Sequence, residues 1–350
     1  MNLLDTYLPA LNPLWGPRLC GVVERVTPLT PTSAAISIRP GRGWAGHRAG
    51  QFVTLGVDVD GVRHQRCYSI TSSETDPSGR IEIAVAAVPG GLVSNHLVHR
   101  SRPGDLVRLD GPSGGFTMAG SSRDPLLFVT GGSGITPVMA MLRTLGDGHR
   151  STFPAGPSDV VLIHHAPDPV STMFSDELER LAERHRWLRV EVVHTGDLND
   201  DAGSRHLSAS RLVDLCPDWA VRQAFVCGPE SLLDFAVEHW ASTGVGERLH
   251  LERFRPASAL LTDESGGPAT IRFATSGIDA AAGSGPTLLD VAEAAGVPAP
   301  SGCRMGICHT CTTRLDTGCA RDLRDGRVID AGSHVQLCVS VAVGDVTLDR

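Results

Sequence analysis

Short apolar runs with polar punctuation fill the first third of the chain. Gly21–Val26, Ala34–Ile38, Phe52–Val59, Ile81–Ala87 and Leu106–Leu109 are rich in Val and Ile, and Gly, Pro, Ser and Asp separate them. That spacing predicts an antiparallel β-barrel. From about residue 124 the period changes. Leu126–Thr130, Val160–His164, Leu188–His194 and Ala224–Cys227 read as buried strands. Pro137–Leu145, Asp176–His185, Ser208–Leu215 and Ser231–Trp240 follow them in turn as helices. Strands alternating with helices predict a parallel α/β sheet. Arg255–Pro268, rich in Pro, Ser, Asp and Gly, reads as a linker. Beyond it a strand (Thr270–Ala274), a helix (Thr287–Ala295), a cysteine-rich loop and closing strands predict a compact α+β unit. The predicted divisions are an arm at 1–17, the barrel at 18–120, the α/β domain at 121–254, the linker at 255–268 and the last unit at 269–350.

In the arm, Leu3, Leu4, Tyr7, Leu8, Leu11, Leu14 and Trp15 recur at helical spacing, but Pro9 and Pro13 interrupt it. Two readings stand: the arm packs on the barrel, or it makes a peripheral membrane contact. A length of 350 residues with 41% hydrophobic content suits two or three filled cores. The net charge of −8 argues against nucleic acid as a partner, which would need a basic field. No run reaches the apolar length of a membrane span, and the N-terminus lacks a secretory pattern, so a cytoplasmic protein is expected.

Nine cysteines in that compartment are expected as thiols, and five of them, from Cys303 to Cys338, crowd the last fifty residues. Cys303-x4-Cys308-x2-Cys311 with a distant Cys338 is the spacing of a plant-type [2Fe–2S] cluster. Gly302 and Gly306 allow tight turns and close backbone approach to sulfur. Structural zinc is the rival, but it usually takes two Cys-x2-Cys pairs, and one is present. A Rieske centre needs two histidine ligands, and His309 stands without a second paired box. Cys319 competes as fourth ligand; Cys338 is preferred because Val335–Val343 reads as a rigid strand and the surroundings of Cys319 as a loop.

Two further constellations carry chemistry. Arg66-Cys67-Tyr68-Ser69 closes a barrel strand, and Gly90-Gly91-Leu92-Val93-Ser94 follows. A guanidinium suits a pyrophosphate, an aromatic face an isoalloxazine, and a hydroxyl its reactive nitrogen. The Gly–Ser turn offers donors to a second phosphate. Gly131-Gly132-Ser133-Gly134-Ile135-Thr136-Pro137 leaves a buried strand and opens a helix, as a dinucleotide phosphate loop must. It lacks the G-x-G-x-x-G fingerprint, so a plain strand–helix turn stays open. Cys227-Gly228-Pro229 ends a later strand of the same sheet, where such sheets place ligands; a buried structural cysteine is the other reading.

Taken together, these five motifs resemble the ferredoxin–NADP reductase superfamily, in the branch with a plant-type ferredoxin fused at the C-terminus. The resemblance runs from about Arg18 to the end. It implies an FAD-binding barrel, an NAD(P)-binding α/β domain and a β-grasp-like ferredoxin domain. Arg66 would bind the FAD pyrophosphate, Tyr68 stack on the flavin and Ser69 lie near N5. Cys67, Val85, Ala87, Gly91, Leu92, Val93 and Ser94 complete the implied flavin site. Gly131, Gly132, Gly134, Ile135, Gly228 and Pro229 would hold the coenzyme, with Thr136 and Cys227 beside the nicotinamide. Ser69 and Cys227 are the implied catalytic pair, and Phe254 of the Glu252-Arg253-Phe254 run would shield the flavin. Cys303, Cys308, Cys311 and Cys338 would hold the cluster. The implied activity takes hydride from NAD(P)H onto FAD and passes single electrons through the cluster to a protein acceptor. Oxygenases, hydroxylases and membrane acyl desaturases are such acceptors. A redox sensor and a diaphorase acting on small molecules are the alternatives. Two departures leave the choice between NADH and NADPH open: His164-His165-Ala166 lacks the arginine often found there, and the acidic discriminator is not evident. Arg205 is a candidate for a 2′-phosphate, with an ordinary surface arginine as the other reading.

Overall fold

The computed structural model describes residues 19–59, 61–118, 124–147, 159–196, 206–254, 269–283, 285–302, 304, 306, 309–324 and 326–350. The readings on the N-terminal arm, the linker, Arg205, Cys303 and Cys308 lie outside these residues. The chain divides into two compact units, one holding nearly all residues up to Glu252 and the other chiefly Arg253–Arg350.

The first unit begins with six strands: β1 (Cys20–Thr30), β2 (Ser33–Pro40), β3 (Phe52–Val59), β4 (Val62–Ser69), β5 (Ile81–Ala86) and β6 (Leu106–Leu109). They form one sheet in the order β4-β3-β6-β1-β2-β5. An antiparallel bridge, Ile70 to Ile83, joins the chain just past β4 to β5, the two ends of that order. The expected antiparallel barrel is therefore present. Its interior takes Val23, Ile36, Ile38, Val53, Leu55, Ile81, Ile83, Val107 and Leu109, inward members of β1, β2, β3, β5 and β6. Helix α1 (Leu92–His99) was not anticipated: its sequence reads as a Gly–Ser turn, yet Val93 and Leu97 bury on the barrel and pin it as a helix.

Five parallel strands follow: β7 (Leu126–Gly131), β8 (Val160–Ala166), β9 (Leu188–His194), β10 (Gln223–Cys227) and β11 (Leu249–Glu252). Their order is β11-β10-β7-β8-β9. Every residue of β7 and β8 is buried, as expected of central strands covered on both faces. The connecting helices are α2 (Ile135–Gly146), α3 (Ser175–Arg184), α4 (Ala209–Leu215) and α5 (Glu230–Ser242).

The second unit holds β12 (Ala269–Phe273), β13 (Ile278–Ala282), helix α6 (Leu288–Ala294), β14 (Thr312–Asp322), β15 (Val328–Asp330), β16 (His334–Gln336) and β17 (Ser340–Leu348). The sheet runs β13-β12-β17-β14-β15, with β16 paired to β14. A capping box between Thr287 and Asp290 starts α6, whose Leu288, Leu289 and Ala292 enter a core with Ile271, Phe273, Leu315 and Val339. Two local expectations need correcting. Cys319 lies within the long strand β14 and not in a loop, because it pairs on both sides, with Asp330 on β15 and Val343 on β17. Cys338 sits in a 3-10 turn, Leu337–Val339, between β16 and β17. The alternation there breaks because Leu337, Cys338 and Val339 all point into buried space. No helix among the described residues is long and apolar enough to cross a membrane.

Candidate functional site

Three groups of predicted residues fall on the ends of strands. On the barrel, Arg66, Cys67, Tyr68 and Ser69 occupy the last half of β4. The Arg66 guanidinium donates to the Gln65 carbonyl at 2.7 Å, and Cys67 Sγ lies 3.7 Å from Thr54 Oγ1 on β3. Tyr68 is half-buried against the barrel core. Ser69 is 5% exposed, and its Oγ is buried without a hydrogen-bond partner. A buried hydroxyl with an unmade bond costs free energy unless something supplies the partner, so this atom suits a polar ring atom of a bound cofactor.

Gly91 is the N-cap of α1, and no side chain caps its amides. Ser94 Oγ accepts from the Val88 N–H at 3.1 Å, and the Asn95 amide donates to Val88 O and Gly91 O. These bonds hold the turn while leaving the first-turn amides for an anion. The Val85 and Val93 side chains belong to the barrel core, so backbone is what they offer a ligand. The Ala87 amide is already spent on the Thr32 carbonyl. Leu92 is exposed.

On the sheet, the turn after β7 and the turn after β10 lie against each other. Thr130 and Cys227 are partners in parallel register. A Cβ on Gly134 would come within 2.1 Å of the Cys227 carbonyl, and one on Gly131 within 2.7 Å of the Pro229 ring. A Cβ on Gly228 would come within 3.0 Å of the Gly131 amide nitrogen. These three glycines are therefore required by the contact between the two turns. Gly132 differs: its φ is +54° and nothing lies within 4 Å of its missing Cβ, which leaves backbone open to a phosphate. Ile135 and Thr136 start α2, where Thr136 is buried and its hydroxyl donates to the Ser133 carbonyl at 2.9 Å. Cys227 is fully buried, and burial, assisted by Glu252, pushes its thiol well above the usual range. It is a neutral, soft side chain, not a thiolate.

Glu252 is the residue the motif reading undervalued. It lies in register with Cys227 at the end of β11, is buried, and leaves Oε2 without a partner. Burial pushes its carboxyl up to about 8. Its short strand, Leu249–Glu252, was not anticipated either. Phe254 follows two residues later and is half-buried. At the end of β8, burial brings both His164 and His165 down to about 4. They are neutral near pH 7 and supply no standing cation for a 2′-phosphate.

A carboxyl raised on folding adds stability that is complete below about 4.5 and lost as the pH climbs through about 8. Glu252→Gln in the coenzyme-free protein should abolish that dependence. Thermal melts of variant and wild type should agree near the low end and diverge above it, by up to ~1.4 kcal/mol per pH unit, with the variant the more stable. Parallel melting curves across the whole window would contradict the assignment.

In the second unit, Cys311 and Cys338 are both buried, with their Sγ atoms 3.2 Å apart. That is too long for a disulfide and close to the ~3.8 Å expected for two thiolates on one tetrahedral ion with ~2.3 Å bonds. The pair fits a shared iron. Cys319 instead donates to Asp330 Oδ1 at 3.4 Å.

An antiparallel barrel, a parallel nucleotide sheet and a cysteine-bearing α+β unit, in that order, define a flavin-dependent reductase with an attached iron–sulfur domain. Comparison with known proteins agrees. Residues 42–118 match the oxidoreductase FAD-binding domain, 128–238 the oxidoreductase NAD-binding domain and 273–343 the 2Fe-2S iron-sulfur cluster binding domain. The chain is 41% identical to the NADPH oxidoreductase of Mycobacterium tuberculosis (strain ATCC 25618 / H37Rv), across 99% of this chain and 88% of that one. It is 31% identical to the glycine betaine monooxygenase reductase subunit of Pseudomonas aeruginosa, across 86% and 87%. Among solved structures, phthalate dioxygenase reductase superposes with a TM-score of 0.60 at 24% identity, covering 95% of this chain and 98% of that one, a likeness of fold. The chain belongs to the ferredoxin–NADP reductase superfamily, in the branch with a C-terminal [2Fe–2S] domain. It is an oxidoreductase whose cofactors are FAD and a [2Fe–2S] cluster and whose electron donor is NAD(P)H.

Proposed function

We propose that this chain is the reductase component of an oxygenase-type system, taking electrons from NADPH and delivering them singly to a separate cytoplasmic or membrane-bound oxygenase, hydroxylase or desaturase. The observation that carries the reading is the Cys311–Cys338 thiol pair in a unit of its own, which follows the barrel and the parallel sheet along the chain. NADPH as donor follows the likeness to the mycobacterial NADPH oxidoreductase. Bound FAD would supply an acceptor for the nicotinamide hydride and a one-electron donor toward the cluster.

The chain's own residues supply position. Ser69 Oγ would present a hydroxyl to the reacting ring nitrogen, Arg66 would neutralise the FAD pyrophosphate, and the first-turn amides of α1 are free to donate to phosphate. Tyr68 would stack on the isoalloxazine, and Phe254 would shield it. Gly132 leaves the turn after β7 open to the coenzyme phosphates. Cys227, uncharged and fully buried, walls the nicotinamide without attracting water. Glu252, still protonated near pH 7, can donate a hydrogen bond in the same pocket. Cys303, Cys308, Cys311 and Cys338 hold the cluster.

Cys227→Ala tests this arrangement. The maximal rate of flavin reduction by NADPH in single turnover should fall by about tenfold or more, with NADPH affinity changed by less than about threefold. An unchanged maximal rate would return Cys227 to a packing role.

A further inference from the structure

The flavin motif and the nicotinamide motif lie on different layers of the first unit, so something must fix their separation. Helix α2 runs from one to the other. Its first residues, Ile135 and Thr136, form the nicotinamide turn, and its last turn carries Arg143. Arg143 Nη1 donates to the carbonyl of Thr71 at 2.8 Å, two residues beyond Ser69, and to Glu82 Oε1 on β5 at 2.7 Å. Its Nε and Nη2 grip both oxygens of Glu177 on α3, each at 2.7 Å. Glu82 Oε1 also accepts from Thr71 Oγ1 at 3.0 Å, so strand end, β5, α2 and α3 meet on one guanidinium.

Three observations separate this junction from ordinary packing. First, it stands between two open clefts. One of about 730 Å³ is lined by Ser72, Asp76 and Arg80, the other of about 620 Å³ by Pro169, Thr172 and Arg180, and Arg143, Glu82 and Glu177 line both. Apolar contacts such as Phe116 on Phe225 join barrel and sheet elsewhere, and at this end of α2 the links to the barrel are hydrogen bonds. Second, Phe174 places its ring 5.5 Å from the guanidinium carbon, from a backbone with φ of +62°. A bulky residue keeps that left-handed conformation only where its surroundings impose it. Third, the same helix end makes a second set of bonds to the same segment. Asp147 accepts from Ser73 and Thr75, and Thr144 Oγ1 accepts from the Glu74 amide at 3.1 Å.

We propose that Arg143 is a positioning residue for NADPH oxidation: by clamping the end of α2 to Thr71 and Glu82, it sets the distance between Ser69 and the Thr136–Cys227 turns. The inference rests on the function proposed above. A helix is stiff, so a shift at its last turn moves its first, and an error of about 1 Å in the reacting geometry can cost on the order of 100-fold in rate. The guanidinium reaches four acceptor atoms on three residues in fixed directions, which an ammonium cannot match.

The test uses the holoenzyme. In R143Q the maximal rate of flavin reduction by NADPH, per bound FAD, should fall ~10- to 100-fold while the NADPH dissociation constant moves less than about threefold. R143K should recover part of that rate. The charge-transfer absorbance formed on adding NADP+ to the reduced protein, which reports ring stacking and not turnover, should weaken in the same order. If R143Q does not fold, E82Q is read in its place, with ~3- to 10-fold slowing expected. A folded variant with the wild-type rate and charge-transfer band overturns the inference alone. A wild type whose flavin NADPH does not reduce overturns the proposed function, and the inference with it.

Discussion

Replacing Cys338 with alanine should strip nearly all of the roughly two irons per chain and the acid-labile sulfide, while FAD remains bound. Cys338 and Cys311 face each other at 3.2 Å in buried space, and each is held by the backbone around it. The Leu337 amide donates to the Cys311 carbonyl, and Leu323 to that of Val339. An alanine leaves one iron a ligand short, with no other sulfur at hand among the described residues. Cys319→Ala should keep both cofactors. Cys319 stands eight residues beyond Cys311 along β14, roughly 20 Å or more away at strand rise, and its thiol is turned to Asp330. Iron, sulfide and flavin assays on the two purified variants decide the matter. If Cys319→Ala empties the site and Cys338→Ala does not, the fourth ligand is misassigned.

Much of this was legible in the sequence because hydrophobic period and turn chemistry are local. The strands Phe52–Val59, Leu106–Leu109 and Leu188–His194 were bounded correctly to the residue. What was missed depends on contacts between distant segments. Helix α1 looks like a turn until Val93 and Leu97 find the barrel. Strand β14 contains Gly318 and charged residues that read as a loop, and pairing with β15 and β17 makes it a strand. The glycines of the two sheet turns looked like phosphate-binding residues, but Gly131, Gly134 and Gly228 are needed first for one turn to lie on the other. Glu252 carried a signal only as part of a run resembling the end of the reductase module. Nothing in that run announces a buried carboxyl raised to about 8, because the raising comes from burial on β11 beside β10. Arg143 had no motif at all; its acceptors lie 72, 61 and 34 residues away in sequence.

Cutting the chain after Pro256 should leave a folded module that binds FAD and oxidises NADPH. The barrel and the parallel sheet have their own cores, and the second unit has another. A unit with its own core is able to fold alone. Ser69, Cys227, Glu252 and the Arg143 clamp all precede the cut. The cluster cysteines, from Cys303 to Cys338, all follow it. Ferricyanide can take electrons from flavin, so its reduction should persist at close to the full-length rate. Cytochrome c, taken here as the one-electron acceptor served by the cluster, should lose its main supply.

The most direct measurement is therefore the ratio of cytochrome c to ferricyanide reduction, per bound FAD, in the 1–256 fragment and in the whole chain. Electron exit through the C-terminal cluster predicts a ratio at least about tenfold lower in the fragment, with ferricyanide reduction intact. An equal ratio in the two proteins would contradict it, because electrons would then be leaving from the flavin.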